Sequence, residues 1–321
     1  MRPICFATES YEPLMQDIAL VLRADIGAVE RRAFPDGERY LRILGAVFSR
    51  SAVIVGGTVD DRETLELYDL ASGLVQQGVR RLTLVIPFFG YGTMERVSKA
   101  GEVVKAKTRA RLFSSIPVPD AGCQVILLDL HAEGITFYFE GNLTPVHLSA
   151  APLVGRLARE LGGEKLVLAA TDAGRAKWVE RLANAIGAPA AFVYKRRHDD
   201  GTTEVTAVNA QVRGRHVVIY DDMIRSGGSL LGAARTYKAA GAEKIWALAT
   251  HGLFPGDALH RLRESGILEG IVCTDSHPRA RLLAPGSGGF LRVESVASIL
   301  AARAAVPEEA PGGHSAQFGQ F

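Results

Sequence analysis

Short apolar, β-rich runs separated by amphipathic helical stretches recur along this chain almost end to end, and that alternation admits few architectures. A strand of four or five consecutive apolar residues has both faces buried, as in parallel sheets covered by helices on each side. Strands are expected at 51–55, 82–86, 124–128, 165–169, 191–194, 216–220, 245–249 and 270–273, after an opening strand-like Pro3-Ile4-Cys5-Phe6. Helices are expected over 61–77, 151–161, 176–186 and 229–240. The pattern also repeats: 52-AVIVGGTVDD-61, a helix and 82-LTLVIPF-88 parallel 217-VVIYDD-222, a helix and 245-IWALAT-250. The expected fold class is therefore α/β, with two similar domains, each a mainly parallel sheet flanked by helices. A length of 321 residues suits two such domains. The polar, proline-bearing stretch 141-GNLTPVHLSAAP-152 is the natural divide, separating residues 1–144 from 145–289. A closing helix is read over 293–304, and the aperiodic tail 305–321 is expected to be disordered.

The segment from Val217 to Ala242 carries the most chemistry. An apolar strand ends in Asp221 and Asp222, crosses Arg225-Ser226-Gly227-Gly228-Ser229 and enters a helix. In open α/β sheets ligands bind outside the carboxyl ends of the strands, where such a loop turns backbone N–H groups toward an anion. The two glycines allow the turn, the two hydroxyls add donors, Ser229 fits an N-cap, and the helix points its positive end at the site. Acids beside a phosphate repel it, so Asp221 and Asp222 suit sugar hydroxyls or a bridging Mg²⁺, which makes a phosphorylated sugar the inferred ligand. The loop is not a Walker A motif, because no Lys follows the glycines. Gly90-Tyr91-Gly92 fails the dinucleotide fingerprint, because Glu95 stands where its third glycine belongs.

Other strand ends carry reactive groups. Asp129-Leu130-His131 and Thr171-Asp172-Ala173-Gly174 each follow a strand; an isolated Asp or His there is more often a turn or capping residue than a ligand, but together they can give Mg²⁺ an oxygen-rich shell with one imidazole. The run 194-YKRRHDDG-201 reads either as a solvated charged face or as a flap whose cations neutralise phosphoryl charge. The stretch 34-FPDGERYLRI-43 reads as a hairpin, and the aromatics of 87-PFFGYGTMER-96 suit either a core or a nucleobase.

Composition removes other classes. With 37 basic and 35 acidic residues the net charge is +2, which gives no reason to expect nucleic acid or an acidic membrane as partner. Cys5, Cys123 and Cys273 are odd in number and lack zinc spacing, so they read as reduced core thiols of a soluble cytoplasmic protein. The opening residues read as a strand without the basic and apolar regions of a signal peptide, and no apolar stretch is long enough to be expected to span a bilayer.

Taken together, Phe34-Pro35-Asp36-Gly37-Glu38, Asp129-Leu130-His131-Ala132, Lys195-Arg196-Arg197 and the loop from Asp221 to Ser229 resemble the ribose-phosphate diphosphokinase family, in order and spacing, over essentially residues 4–304. The resemblance implies transfer of a diphosphoryl group from ATP to the C1 hydroxyl of ribose 5-phosphate, with Mg²⁺ as cofactor, by a homo-oligomer of two phosphoribosyltransferase-type domains whose C-terminal helix, 290–304, packs back on the first. It implies that Lys195 and Arg197 are catalytic and that His131 and Asp172 hold metal. Asp221 and Asp222 would take the ribose hydroxyls; Arg225, Ser226, Gly227, Gly228 and Ser229 lie in the ribose 5-phosphate loop. Phe34, Asp36, Gly37 and Glu38, from a neighbouring subunit, together with Thr93, Met94 and Arg96, would meet the nucleotide. The common bacterial form has Arg-Gln-Asp-Arg where this chain has Thr93-Met94-Glu95-Arg96. That run, 88-FFGYGTMER-96, 137-FYFEG-141, 250-THGLFP-255 and 274-TDSHP-278 look more like the plant-type second class of the family, taken to need no phosphate activator and to accept several nucleoside triphosphates. Two further readings stay open on the residues alone: a phosphoribosyltransferase, which the Asp221 loop fits equally well, and a non-catalytic subunit of an active synthase.

Overall fold

The computed structural model describes residues 2–172, 174–197, 203–208 and 211–305, with 194–197 and 203–208 described by backbone alone. The first half opens with β1 (Ile4–Ala7), α1 (Glu12–Leu22) and β2 (Asp25–Ile26). An antiparallel hairpin of β3 (Ala28–Ala33) and β4 (Arg39–Leu44) follows, then β5 (Ser51–Val55), α2 (Asp61–Gln76), β6 (Arg81–Ile86), α3 (Lys105–Ser114), β7 (Cys123–Leu128) and β8 (Leu143–Leu148). The second half begins with α4 (Ala151–Gly162), β9 (Leu166–Ala170), α5 (Ala176–Ala185) and β10 (Ala190–Ala191). Its own antiparallel hairpin is β11 (Val193–Arg197) and β12 (Thr203–Val208), followed by β13 (His216–Ile224), α6 (Gly228–Ala239), β14 (Lys244–Gly252), α7 (Ala258–Glu264), β15 (Gly270–Thr274), α8 (Pro278–Leu283), β16 (Leu291–Glu294) and α9 (Ala297–Ala304).

Two six-stranded sheets result, in the orders β2-β1-β5-β6-β7-β8 and β10-β9-β13-β14-β15-β16, and every neighbouring pair in both is parallel. The orders superimpose strand for strand, so the repeat legible in the sequence is a repeat of topology, and the two hairpins occupy the same place in each half.

Period-two alternation of side chains builds the layers. Cys5 and Ala7 of β1, and Leu166, Leu168 and Ala170 of β9, face a shared core between the sheets, filled by α1, α4, α5 and α9. Ile4 and Phe6 face outward under α2 and α3, while Val167 and Ala169 face outward under α6 and α7. Each helix presents residues at helical spacing, as with Val154, Leu157 and Ala158 of α4, all fully buried. Full burial of such a Val or Leu is worth about 1.5–3 kcal/mol. Helix α9 lies against α1, so the end of the described chain packs on its beginning. The shared core joins the halves into one body, which fixes the relative position of groups drawn from both.

Several boundaries differ from expectation. Residues 143–148, inside the stretch read as a linker, form an edge strand; Pro145 is tolerated because β8 pairs on one side only. The helix read over 293–304 is a strand over Leu291–Glu294 and then a helix over Ala297–Ala304. The strand read over 191–194 is broken at Phe192 into β10 and the hairpin. The three cysteines are free and buried, and burial pushes the Cys5 and Cys123 thiols up to about 12. Among the described residues no helix is long and apolar enough to cross a membrane. The tail expected to be disordered lies, apart from Ala305, outside the described residues.

Candidate active site

Strand β13 outruns its neighbour. Its last pair with β9 is Tyr220 with Ala170, whereas Asp221 to Ile224 continue against Ala249 to Gly252 of β14. Asp221 and Asp222 therefore lie within the strand, where the sequence reading placed them at its end, and pairing with β14 holds their backbone rigid while their other side is freed. The loop then turns at Gly227, φ +79°, which caps α6; the helix starts at Gly228, so Ser229 sits in its first turn and is not the cap expected. A β-carbon on Gly227 would lie 2.7 Å from Leu262, so this position requires glycine for both its φ and the close approach. Gly227→Ala should therefore destabilise the fold by about 1–3 kcal/mol, read as a lower urea midpoint. First-turn N–H groups of α6 have no intrahelical acceptor and line the cavity with Ser226 and Ser229.

The two acids differ sharply. Burial, then the neighbouring Asp222, raises Asp221 to about 7, although Thr171 Oγ1 donates to its Oδ2 at 2.9 Å. Burial would raise Asp222 as well, but the His131 hydrogen bond and the Arg175 guanidinium outweigh it and bring Asp222 down to about 2. His131 Nδ1 lies 2.7 Å from Asp222 Oδ2. That carboxylate favours the proton on Nδ1, whereas the Arg175 guanidinium, a donor beside the same nitrogen, favours its lone pair; with Arg175 moved aside, Nε2 is the lone-pair nitrogen. Arg175 is ion-paired with the same Asp222 oxygen, with its Nε 3.8 Å from Asp221 Oδ1 and its Nη2 3.0 Å from His131 Nδ1.

His131 comes from the first half and the acids from the second, so the site spans both. A buried polar network fixes the junction. Asp129 adopts φ +38°, a conformation few residues other than glycine take, and is held there by four bonds. Its Oδ1 accepts from Ala150 N at 3.1 Å and its Oδ2 from Thr250 Oγ1 at 2.6 Å. Its carbonyl lies 3.2 Å from His251 Nε2, and its own N–H donates to the Leu148 carbonyl at 2.9 Å. His251 in turn lies 2.8 Å from Ser276 Oγ, and Ser276 accepts at its carbonyl from Tyr11 Oη at 2.9 Å. Asp129 is thus a brace that aims the His131 loop at Asp222.

A cavity of about 500 Å³ gathers Thr93, His131, Asp172, Asp221, Asp222 and the whole loop Arg225 to Ser229. Asp172 Oδ1 accepts from Gly174 N at 2.8 Å. Met94 and Arg96 do not line this cavity; both are exposed, and Arg96 pairs with Glu95. Phe34, Asp36, Gly37 and Glu38 form the turn of the β3–β4 hairpin, with Gly37 at φ +95°, and also do not line it. Lys195 and Arg197 lie on β11, but their side chains, like residues 198–202, fall outside the described residues. Phe88 and Phe89 are core: Phe88 packs edge-on against His251 and His277, and Phe89 against Phe139.

Sequence reasoning missed Arg175. The signal was available: it is the N-cap of α5, where the helix dipole disfavours a cation, so the residue needs carboxylates nearby. It also missed Thr171 as the donor to Asp221.

Among the described residues no three His, Cys, Asp or Glu side chains form a cage for a metal. The donors nonetheless fit Mg²⁺, which keeps several waters and takes one or two carboxylates plus substrate phosphates. Asp172, Asp221 and Asp222 would offer the carboxylates, and His131 has a carboxylate beside its Nδ1, an arrangement that suits a ligating imidazole.

Fold and site together define a two-domain α/β protein with a glycine-turned loop, opening into a helix N-terminus, and an acid pair at one carboxyl edge. Residues 4–116 match the family model of the N-terminal domain of ribose phosphate pyrophosphokinase, and residues 200–284 that of the phosphoribosyl synthetase-associated domain. Ribose-phosphate pyrophosphokinase of Fusobacterium nucleatum is 30% identical over 84% of this chain and 85% of its own, and that of Thermococcus kodakarensis is 32% identical over 79% and 88%. The chloroplastic ribose-phosphate pyrophosphokinase 2 of rice is 31% identical over 84% of this chain and 67% of its own. The crystal structure of phosphoribosylpyrophosphate synthetase from Mycobacterium smegmatis superimposes with a TM-score of 0.82 at 25% identity, covering 95% of this chain and 98% of that one. The chain belongs to the ribose-phosphate pyrophosphokinase family.

Proposed function

We propose that this chain transfers the β,γ-diphosphoryl group of ATP to the C1 hydroxyl of ribose 5-phosphate. The C1 oxygen bonds to the β-phosphorus, the bond from that phosphorus to the α,β-bridging oxygen breaks, AMP leaves with the electron pair, and the hydroxyl proton passes to solvent. The observation that carries the reading is the meeting, in one cavity, of the loop Arg225 to Ser229, the acid pair and His131 from the other half. Loop N–H groups and the Ser226 and Ser229 hydroxyls take the 5-phosphate, with Arg225 exposed at the loop's start. Asp221 and Asp222 accept from the ribose hydroxyls. His131 and Asp172 hold Mg²⁺, which when bound neutralises charge on the diphosphoryl oxygens. Lys195 and Arg197 stabilise the charge that develops in transfer. Phe34, Asp36, Gly37 and Glu38 meet the nucleotide of a neighbouring subunit, which makes the active form a homo-oligomer, while Thr93, Met94 and Arg96 lie on the nucleotide side of their own.

The domain division follows as residues 1–144 and 145–289, with α9 returning to the first. The protein acts in the cytoplasm. The run Thr93-Met94-Glu95-Arg96 supports a reading with the plant-type second class: one arginine fewer at the nucleotide means fewer directed contacts and a broader choice of triphosphate. The test is incubation of the purified chain with ATP and ribose 5-phosphate, resolving nucleotides by chromatography. AMP and phosphoribosyl diphosphate in equal amounts, abolished by EDTA and restored by Mg²⁺, are expected; ADP as product would refute diphosphoryl transfer.

A further inference from the structure

Arg175 stands between the groups that the proposed reaction gives to the sugar and to the metal. We infer that it is the resident counter-cation of the Asp222 carboxylate and that ribose 5-phosphate with Mg²⁺ must displace it, so that Arg175 sets the Mg²⁺ concentration at which the site fills. The inference rests on the metal and sugar roles assigned above.

The geometry carries it. One guanidinium is ion-paired with Asp222, lies 3.8 Å from Asp221 Oδ1, and reaches across to the other half at 3.0 Å from His131 Nδ1 and 3.4 Å from the His131 carbonyl. The pair is largely desolvated, with the Arg175 side chain 19% and that of Asp222 5% exposed, so its Coulomb attraction is far stronger than that of a surface pair. Nothing in α5 itself holds the charge there, since the helix dipole repels a cation at its N-terminus. A divalent ion shared by His131 and its neighbours would come within a few ångströms of this guanidinium, and two like charges in so buried a place exclude one another. Arg175, with His131, Gly174 and Asp222, lines both the main cavity and a second one, of about 300 Å³, which Glu133 also lines. A displaced guanidinium has room and an acid there.

The experiment is calorimetric titration of MgCl₂ into the full chain at saturating ribose 5-phosphate with ATP omitted, for the wild type, Arg175→Ala, Arg175→Gln and Arg175→Lys. Both neutral variants should half-saturate at a Mg²⁺ concentration about tenfold lower than the wild type, and the Lys variant close to it. A residue that merely braces the site would give the opposite: weaker binding once removed. Unchanged or higher Mg²⁺ requirements in folded neutral variants overturn the inference. So does unfolding of both, which would make Arg175 a structural strut. Should only the Ala variant unfold, the Gln variant, which keeps a planar donor, decides the matter by the same shift. Heat from ribose 5-phosphate in the wild type separates the levels: no sugar binding strikes the proposed function, whereas sugar binding with an unshifted Mg²⁺ requirement strikes only the role of Arg175.

Discussion

Lys195→Ala is expected to lower kcat by roughly two orders of magnitude or more while leaving ribose 5-phosphate binding nearly intact. The reason is its position in the fold. Strand β10 runs parallel to β9, with Ala191 opposite Ala169, so it emerges at the same edge of the sheet where Thr171 and Asp172 follow Ala170. The hairpin of β11 and β12 leaves from that edge, and β12 lies against α6, the helix that opens from the phosphate loop. Under the proposed role, the Lys195 charge serves the transferring phosphoryl group and not the sugar, so its loss should be felt mainly when negative charge develops in transfer. Single-turnover kinetics beside equilibrium binding of ribose 5-phosphate separate the two effects. Loss of sugar affinity with little change in kcat would place Lys195 on the sugar.

Asp221→Asn should do the reverse, raising KM for ribose 5-phosphate by roughly ten- to a hundredfold, the worth of one or two charge-assisted hydrogen bonds. The pH dependence makes the assignment specific. Burial and Asp222 raise Asp221 to about 7, so under the proposed sugar-binding role the needed carboxylate is only half formed near that pH, and wild-type kcat/KM should fall as pH drops below about 7. In the Asn variant this limb should vanish. Stability runs the other way. A carboxyl whose folded value lies above its unfolded value favours the fold when protonated, and that contribution is lost as pH rises from about 4 through about 7. The Asn variant, permanently neutral, should gain in Tm over the wild type as pH rises from about 4 through about 7, so its advantage is larger at pH 8 than at pH 5. A variant less stable at pH 8 than at pH 5 relative to the wild type would contradict the picture of a strained acid held for function.

The fold was largely legible because both sheets are parallel and buried on two faces, so their strands announce themselves as apolar runs between amphipathic helices. What escaped has physical causes. Strand β8 contains Pro145 and is only partly buried, so it reads as a linker until its pairing with β7 is known. Strand β16 is too short and polar to separate from the helix after it. The extension of β13 through the acid pair is invisible because strand propensity opposes Asp, and pairing with β14 overrides that preference. Of the site, His131, Asp172 and the loop after Asp222 came from recognising strand ends, since ligands gather at carboxyl edges. Arg175 did not, because its partners lie 44 to 47 residues away and only the shared core brings them together. For Asp129 the sequence leaves a structural role and a share in a metal shell both open; its positive-φ backbone and buried bonds make it the brace behind His131.

The measurement that bears most directly on diphosphoryl transfer follows the phosphorus atoms themselves. ATP labelled at its β-phosphorus, and in a parallel reaction at its α-phosphorus, is incubated with the purified chain, ribose 5-phosphate and Mg²⁺. The β label should be recovered in the ribose product and the α label in AMP, one for one. A β label recovered in ADP, or released as free diphosphate with none on ribose, would contradict the proposed transfer.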